Sequence, residues 1–389
     1  MNKNSRRIII SIECSFMARE NGSHSRIEDL ISFFDSNFED VVVYSFHEHI
    51  QYPWDHKAIS QFRAKFPNIS LALDHHTWVT RLATRTRNAL LSLFPSLAGP
   101  IARWRVPGTP QWRQLLHDHP SAVHVINFID VATIINGLPT APILIETHDI
   151  KSFKAAKISA QHPSSLRIIA KFRSETSLLS LAKGLIAITP YEQNLLGSIA
   201  PGPKVLYISS YSVTYPAAAA TMYKPKYDLA FIGADNNFNV DGLVAFVDVN
   251  TAWLQGRTLA VAGLVCSNPK IISLAANHGQ VTLLGFIDDL QSFYSDAKAV
   301  ISPVDGTGLK IKLVEALSFG KPVFASQHSR DGLPTGSERA VFQIDPVAMD
   351  YILDDKQRLD EAHIEAKKYY RHFITTGDLD QLQEFIATL

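Results

Sequence analysis

Ala297–Ser326 reads AKAVISPVDGTGLKIKLVEALSFGKPVFAS. Two short apolar runs, AKAVISP and KPVFAS, flank a turn with two glycines and a segment in which Leu313, Ala316 and Leu317 recur at helical spacing. Strand, turn, helix and strand in so short a span is the repeating unit of a parallel sheet, because parallel neighbours need a crossover between them. Gly306 and Gly308 let the backbone approach a ligand closely, and the unpaired N–H groups that open the next helix favour an anion. Lys310 and Lys312 in the first turn oppose the helix dipole. That placement is explained if they face a diphosphate; the plainer reading is a solvated turn in which Lys312 pairs with Glu315.

The same alternation fills the chain. RRIIISIE, DVVVYSF, AVHVINF, APILIETHD and GLIAIT read as strands of a first half, and YDLAFIGA, RTLAVAGL, QVTLLGF, AKAVISP and KPVFAS as strands of a second. Near-continuous Val, Ile and Leu runs predict strands covered on both faces. The fold class expected is α/β, with two doubly wound, Rossmann-like domains. A length of 389 residues suits two domains. Their expected limits are 1–206, a linker at 207–226 that lacks periodicity, and 227–365. A helical tail at 366–389 is expected to pack back on the first domain.

Lys+Arg 37 balances Asp+Glu 37, which argues against nucleic acid as a partner. Cys14 and Cys266 lie in apolar runs and read as small buried hydrophobes in a reducing compartment. The basic N-terminus precedes an apolar run that Glu13 interrupts, so it reads as a first strand and the protein as cytoplasmic.

His148 and Asp149 follow an apolar run directly, and the carboxyl end of a parallel strand is where ligands sit. Asp149 can serve as a base toward a ligand hydroxyl, and His148 can contact the ligand. Alternatively Asp149 caps the next segment and His148 packs. Gly22, Ser23, His24 and Arg26 form a loop-to-helix passage that suits either an acceptor or phosphate contact or an ordinary helix start. The pairs His47 and His49, His75 and His76, and His117 and His119 lack metal-ligand spacing, so no metal and no resident cofactor is expected. Trp78–Arg113 carries Arg81, Arg85, Arg87, Arg103, Arg105 and Arg113 among Trp, Leu and Phe without one acid. It is a candidate to lie on the inner face of an anionic cytoplasmic membrane, or else a helical pair with its arginines outward.

The block GTGLKIKLVEALSFGKPVFAS, preceded by VTLLGFIDDLQSFYSDAKAVISP, resembles the donor half of family 4 glycosyltransferases and their GT-B relatives, over about Tyr227 to Asp345. MARENGSHSRIEDLISFF, ETHDIKSF and ETSLLSLAKGLIAITPYEQNLL extend a weaker resemblance through the first half. The resemblance implies two domains facing a cleft and a hexosyltransferase-type enzyme. Such an enzyme would move a sugar from a UDP- or GDP-linked donor to a saccharide or lipid-linked saccharide in surface polysaccharide synthesis. It implies Glu315 on the donor ribose, Lys310 or Lys312 on the pyrophosphate, and Gly306, Thr307 and Gly308 along the donor. Phe286 and Ile287 fall where relatives meet the base, and Gly233 borders the ligand or simply allows a turn. Thr307 stands where many relatives have the first Glu of a Glu-x7-Glu pair, and GADNNFNVDG replaces an Arg/Lys pair, which shifts phosphate binding onto the lysines. A non-catalytic nucleotide- or glycan-binding module and a nucleotide-sugar epimerase are the alternatives.

Overall fold

The structure is a computed structural model that describes residues 3–18, 22–104, 108–134, 140–158, 165–211, 225–305 and 308–389. Gly306, Thr307, Arg105 and most of the 207–226 linker lie outside those residues. The chain divides into two compact units, Met1–Ser212 with Gly377–Leu389, and Val213–Thr376.

The first unit is built on seven strands, β1 (Asn4–Ser11), β2 (Phe38–Phe46), β3 (Ser70–Asp74), β4 (Val123–Asn127), β5 (Ile143–Glu146), β6 (Gly184–Ala187) and β7 (Lys204–Tyr207). Their order is β3-β2-β1-β4-β5-β6-β7, and each pair is parallel. The order reverses between β1 and β4, so the chain leaves those two strands in opposite directions and opens a crevice at their carboxyl ends. Ile8 and Ile10 join one core layer and Ile9 the other, the period-two alternation of a strand buried on both faces.

The second unit holds β8 (Tyr227–Ile232), β9 (Leu259–Ala262), β10 (Val281–Gly285), β11 (Ala297–Ser302), β12 (Val323–Ala325) and β13 (Val341–Gln343). They lie in the order β10-β9-β8-β11-β12-β13, again all parallel. Its reversal falls between β8 and β11. The segment after β11 that carries Gly308 to Glu315 and the Gly233 turn after β8 are therefore neighbours at the place where an α/β sheet binds ligands.

The helix Lys356–Thr375, which the 365/366 limit would divide, stays whole in the second unit. Asp355 caps it, and Ala362, Ala366, Tyr369 and Phe373 bury one continuous face. The helix Leu379–Thr388 belongs to the first unit, where Leu382 and Ile386 join the core. Asp378 ties it down by accepting the Tyr207 N–H at 2.9 Å. Cys14 and Cys266 are unpaired and part-buried. No helix among the described residues is long and apolar enough to cross a membrane.

Leu382 has no exposed surface, so Leu382→Ala is expected to cost about 2–4 kcal/mol of the first unit's stability. Urea unfolding should report the change as a lower midpoint at unchanged slope.

Candidate functional site

In the second unit three glycines stand at the carboxyl ends of adjacent strands. Gly233 follows β8, Gly263 follows β9, and Gly285 ends β10. The Gly263 N–H donates to the Gly285 carbonyl at 2.8 Å, and the Gly233 carbonyl accepts from Val265 N–H at 3.0 Å. Gly263 has φ of 92°, and a Cβ there would lie 2.4 Å from the Gly233 oxygen. A side chain is excluded on both counts. A Cβ at Gly233 would in turn press on Asn239 and the Phe231 ring at 3.1 Å, so the glycine makes room for those side chains.

Asn239 lies on the helix Asn237–Val249, whose cap is Asn236. Its amide nitrogen donates to the Ala234 carbonyl at 2.8 Å, which turns its Oδ1 to accept from Lys312 Nζ at 2.6 Å. The same ammonium sits 4.1 Å from the centre of the Phe231 ring. Lys312 thus bonds a neutral amide and an aromatic face, and makes no ion pair with Glu315 among the described residues. Burial, reinforced by the charge of Lys310, lowers its pKa to about 7. Lys310 donates to the Gly308 carbonyl at 3.0 Å, where Gly308 adopts φ of 70°. The helix Ile311–Ser318 begins at Lys310 with no side-chain cap, so its first N–H groups have no side-chain acceptor. Positive charge, uncapped N–H groups and a glycine turn converge as an anion site requires.

Glu315, one turn on, accepts a hydrogen bond from the Tyr294 hydroxyl at 2.6 Å. Burial raises its pKa despite that bond and the nearby Lys312. Tyr294 is fully buried and stacks on Phe319 at 4.8 Å, so the carboxylate is aimed by a rigid ring. Phe286, 68% exposed just beyond β10, presents a free ring face, while Ile287 packs against the core. Asp289 caps the helix Leu290–Ser295.

The first unit gathers a different group at the ends of β4 and β5. Glu146 closes β5 with no exposure and accepts from Arg26 Nε at 2.7 Å, Tyr211 Oη at 3.0 Å and Asn127 Nδ2 at 2.6 Å. Burial alone would raise its pKa, but Arg26 and then its other partners overcome this and hold it at about 2. Asn127 Nδ2 also reaches His148 Nε2 at 2.9 Å, nearer than the 3.3 Å that separates this nitrogen from Glu146 Oε2. The Asn127 amide and the Glu146 carboxylate thus both face Nε2 and fix the orientation of the ring. Burial lowers the His148 pKa, which leaves the ring neutral.

Phe128 and His148 are the two non-glycine residues with positive φ among the described residues, at 68° and 55°, and their rings stack 3.9 Å apart. A left-handed backbone costs roughly 1–2 kcal/mol per residue, so the surrounding structure holds both residues in place at these adjacent strand ends. Asp149 accepts from Lys154 Nζ at 3.0 Å through Oδ2. Its Oδ1 and the Asn127 Oδ1 are buried without a partner among the described residues, as expected of groups that await a polar ligand or water.

Of the residues singled out from sequence, Arg26 and His148 meet at Glu146. Arg26 spends its guanidinium on Glu146 and on the carbonyls of Ile208 and Ser209, so it supports the edge from within. His24 is buried with its ring edge-on to Tyr52 at 4.5 Å, and Gly22 and Ser23 open the helix Gly22–Asn37. Asn239, Phe231, Tyr294, Glu146, Asn127 and Tyr211 were not singled out. The ETHD stretch and the FYSDAK helix did carry Glu146 and Tyr294, but nothing local shows what they hold. Among the described residues no group of three or more His, Cys, Asp or Glu side chains is placed to hold a metal.

Because the folded pKa of Lys312, about 7, lies below the ordinary 10.5, folding releases a proton between those values. The penalty is therefore full below about pH 7 and fades as pH approaches 10.5. Lys312→Met is expected to raise the melting temperature at pH 6–7, by roughly 2–4 °C per kcal/mol recovered. That gain should shrink steadily toward pH 10 in a melting series.

Residues 226–349 match the family model of Glycosyl transferases group 1. No curated protein sequence matches the chain. Among solved structures, Anabaena Alr3699/HepE in complex with UDP has a TM-score of 0.64 at 15% identity, covering 98% of this chain and 100% of that one. Sucrose-phosphate synthase from Thermosynechococcus elongatus scores 0.60 at 16% identity, covering 98% and 96%. TarM scores 0.66 at 11% identity, covering 99% of this chain and 98% of that one. The chain thus shares the fold of GT-B glycosyltransferases, and residues 226–349 of its second unit are similar to the glycosyl transferases group 1 family.

Proposed function

We propose that the protein transfers a hexose from a UDP- or GDP-linked sugar to a saccharide or lipid-linked saccharide of a surface glycan. The observation that carries this reading is Lys312, a part-buried lysine with no carboxylate partner among the described residues, at the switch point of the unit that matches the family model. Departure of a nucleoside diphosphate builds negative charge, and fixed cations beside a helix N-terminus stabilise it with little reorganisation. In this reading Lys310 and Lys312 take the diphosphate, Glu315 takes the ribose hydroxyls while Tyr294 holds it in place, and Phe286 offers its ring to the base. Gly233 and Gly308 line the donor. On the first unit His148 contacts the transferred sugar, and Asp149 Oδ1 accepts from a sugar or acceptor hydroxyl. The protein works in the cytoplasm, on the inner face of the membrane, where Trp78–Arg113 rests.

The test is turnover against a panel of nucleotide sugars with saccharide and lipid-linked acceptors. Glu315→Ala, and Lys310→Ala with Lys312→Ala, are expected to lower kcat/KM by roughly 10²- to 10³-fold. Undiminished transfer in both would refute these roles, binding without turnover would mark a binding module, and product formed without an acceptor an epimerase.

Diphosphate binding should return a proton to Lys312. Titration calorimetry near pH 8 in two buffers of different ionisation enthalpy is expected to show proton uptake, and Lys312→Met should abolish it. Affinity should therefore rise as pH falls from about 8.5 toward 7.

A further inference from the structure

A notch of about 380 Å³ lies on the first unit, bounded by Ser96, Gly99, Arg103, Arg173, Ser177 and Ser180 among others. It forms where the short helix Ala98–Ala102 packs on the helix Leu166–Leu179. Ser177 Oγ donates to the Gly99 carbonyl at 3.2 Å and accepts from Arg103 Nε at 2.6 Å. The guanidinium is held by its inner edge, and among the described residues its two terminal amino groups have no partner. Arg173 reaches only the Ser96 carbonyl, at 3.5 Å, and no acidic side chain lines the notch. Two arginines with unspent donors, set among serine hydroxyls, match the charge and geometry of a phosphate.

The rim has the opposite character. Ser96 lies between Phe94 and Leu97, both about half exposed, and Trp104 follows Arg103 with 48% of its surface in solvent. Leu93, Leu82 and Trp78 continue this exposed apolar surface along the helix Trp78–Leu93, with Arg81 and Arg85 exposed among them. A soluble phosphate has no use for exposed aromatic and aliphatic side chains beside it, whereas a phospholipid presents its headgroup and its acyl boundary together.

We propose that the Arg103–Arg173 notch binds the phosphate headgroup of an acidic phospholipid, with Phe94, Leu97 and Trp104 entering the acyl boundary beside it. The proposal rests on the reading of Trp78–Arg113 as a membrane-facing segment and adds the site and the lipid chemistry to it.

The full chain would be sedimented with vesicles of phosphatidylcholine alone or mixed with phosphatidylglycerol. Binding is expected only to the mixed vesicles and should weaken with salt. Arg103→Gln with Arg173→Gln is expected to lower the partition coefficient roughly 25-fold, from about a factor of five for each arginine near an anionic surface. Phe94→Ser with Leu97→Ser should lower it too. Unchanged partition of the double arginine variant overturns the proposal. So does inorganic phosphate raising the melting temperature through the two arginines while the Phe94/Leu97 variant still binds vesicles like the parent, since the site would then serve a free phosphate. If the arginine variant does not fold, the Phe94/Leu97 variant decides, and its unchanged binding overturns the proposal. Nucleoside diphosphate binding, measured on the same proteins, separates this outcome from failure of the glycosyl-transfer reading. The vesicle variants should bind the nucleotide normally, and a parent that binds none fails that reading alone.

Discussion

Every strand pair in both sheets is parallel, and that constraint organises the rest of each unit. Parallel pairing sends all strand ends of one kind to the same edge and forces each connection to cross back over a face. Turns that differ widely in sequence position are therefore gathered along the carboxyl edge. Where the strand order reverses, two neighbouring connections part and leave room for a ligand. In the second unit the reversal brings Gly233 and the Lys310–Glu315 segment together, and in the first the parallel pairing of β4 with β5 sets Asn127 beside Glu146 and His148.

The two edges handle buried charge in opposite ways. Glu146 has a cation, an amide and a hydroxyl around it, so the ionised form is satisfied within the protein. Breaking such a buried pair strands a charge, at about 3–5 kcal/mol. Lys312 has an amide oxygen and a ring but no anion in contact among the described residues, and desolvation, with the charge of Lys310, loosens its hold on its proton. The first arrangement is complete in itself and rigidifies the turn that carries His148. The second is incomplete among the described residues, and the proposed diphosphate would complete it.

How much of this was legible follows from burial. Interior strands such as β1, β4 and β8 are covered on both faces, so they read as unbroken apolar runs. The strands β3, β7 and β13 were not read, because each lies at a sheet edge, is short, and is only partly buried. Half-covered strands carry half the hydrophobic signal. In the candidate site, Lys310, Lys312 and Glu315 were visible as one local block. Asn239, 73 positions from Lys312, was not. Nor was the Arg26–Glu146 pair, whose members lie 120 positions apart.

Composition, apolar periodicity and one glycine- and lysine-bearing block were thus enough to determine the fold class and the two-unit plan, and to single out the turn proposed here to bind an anion. All of these rest on local pattern, and local pattern survives in a linear string. Only the tertiary structure decided that Lys312 lies over Phe231 instead of pairing with Glu315, that Tyr294 aims Glu315, and that Arg26 faces inward. It also decided that His148 Nε2 meets both Asn127 and Glu146. Each of these depends on which side chains the crossovers bring into contact and on how far burial removes water from them, and neither quantity is written in neighbouring residues.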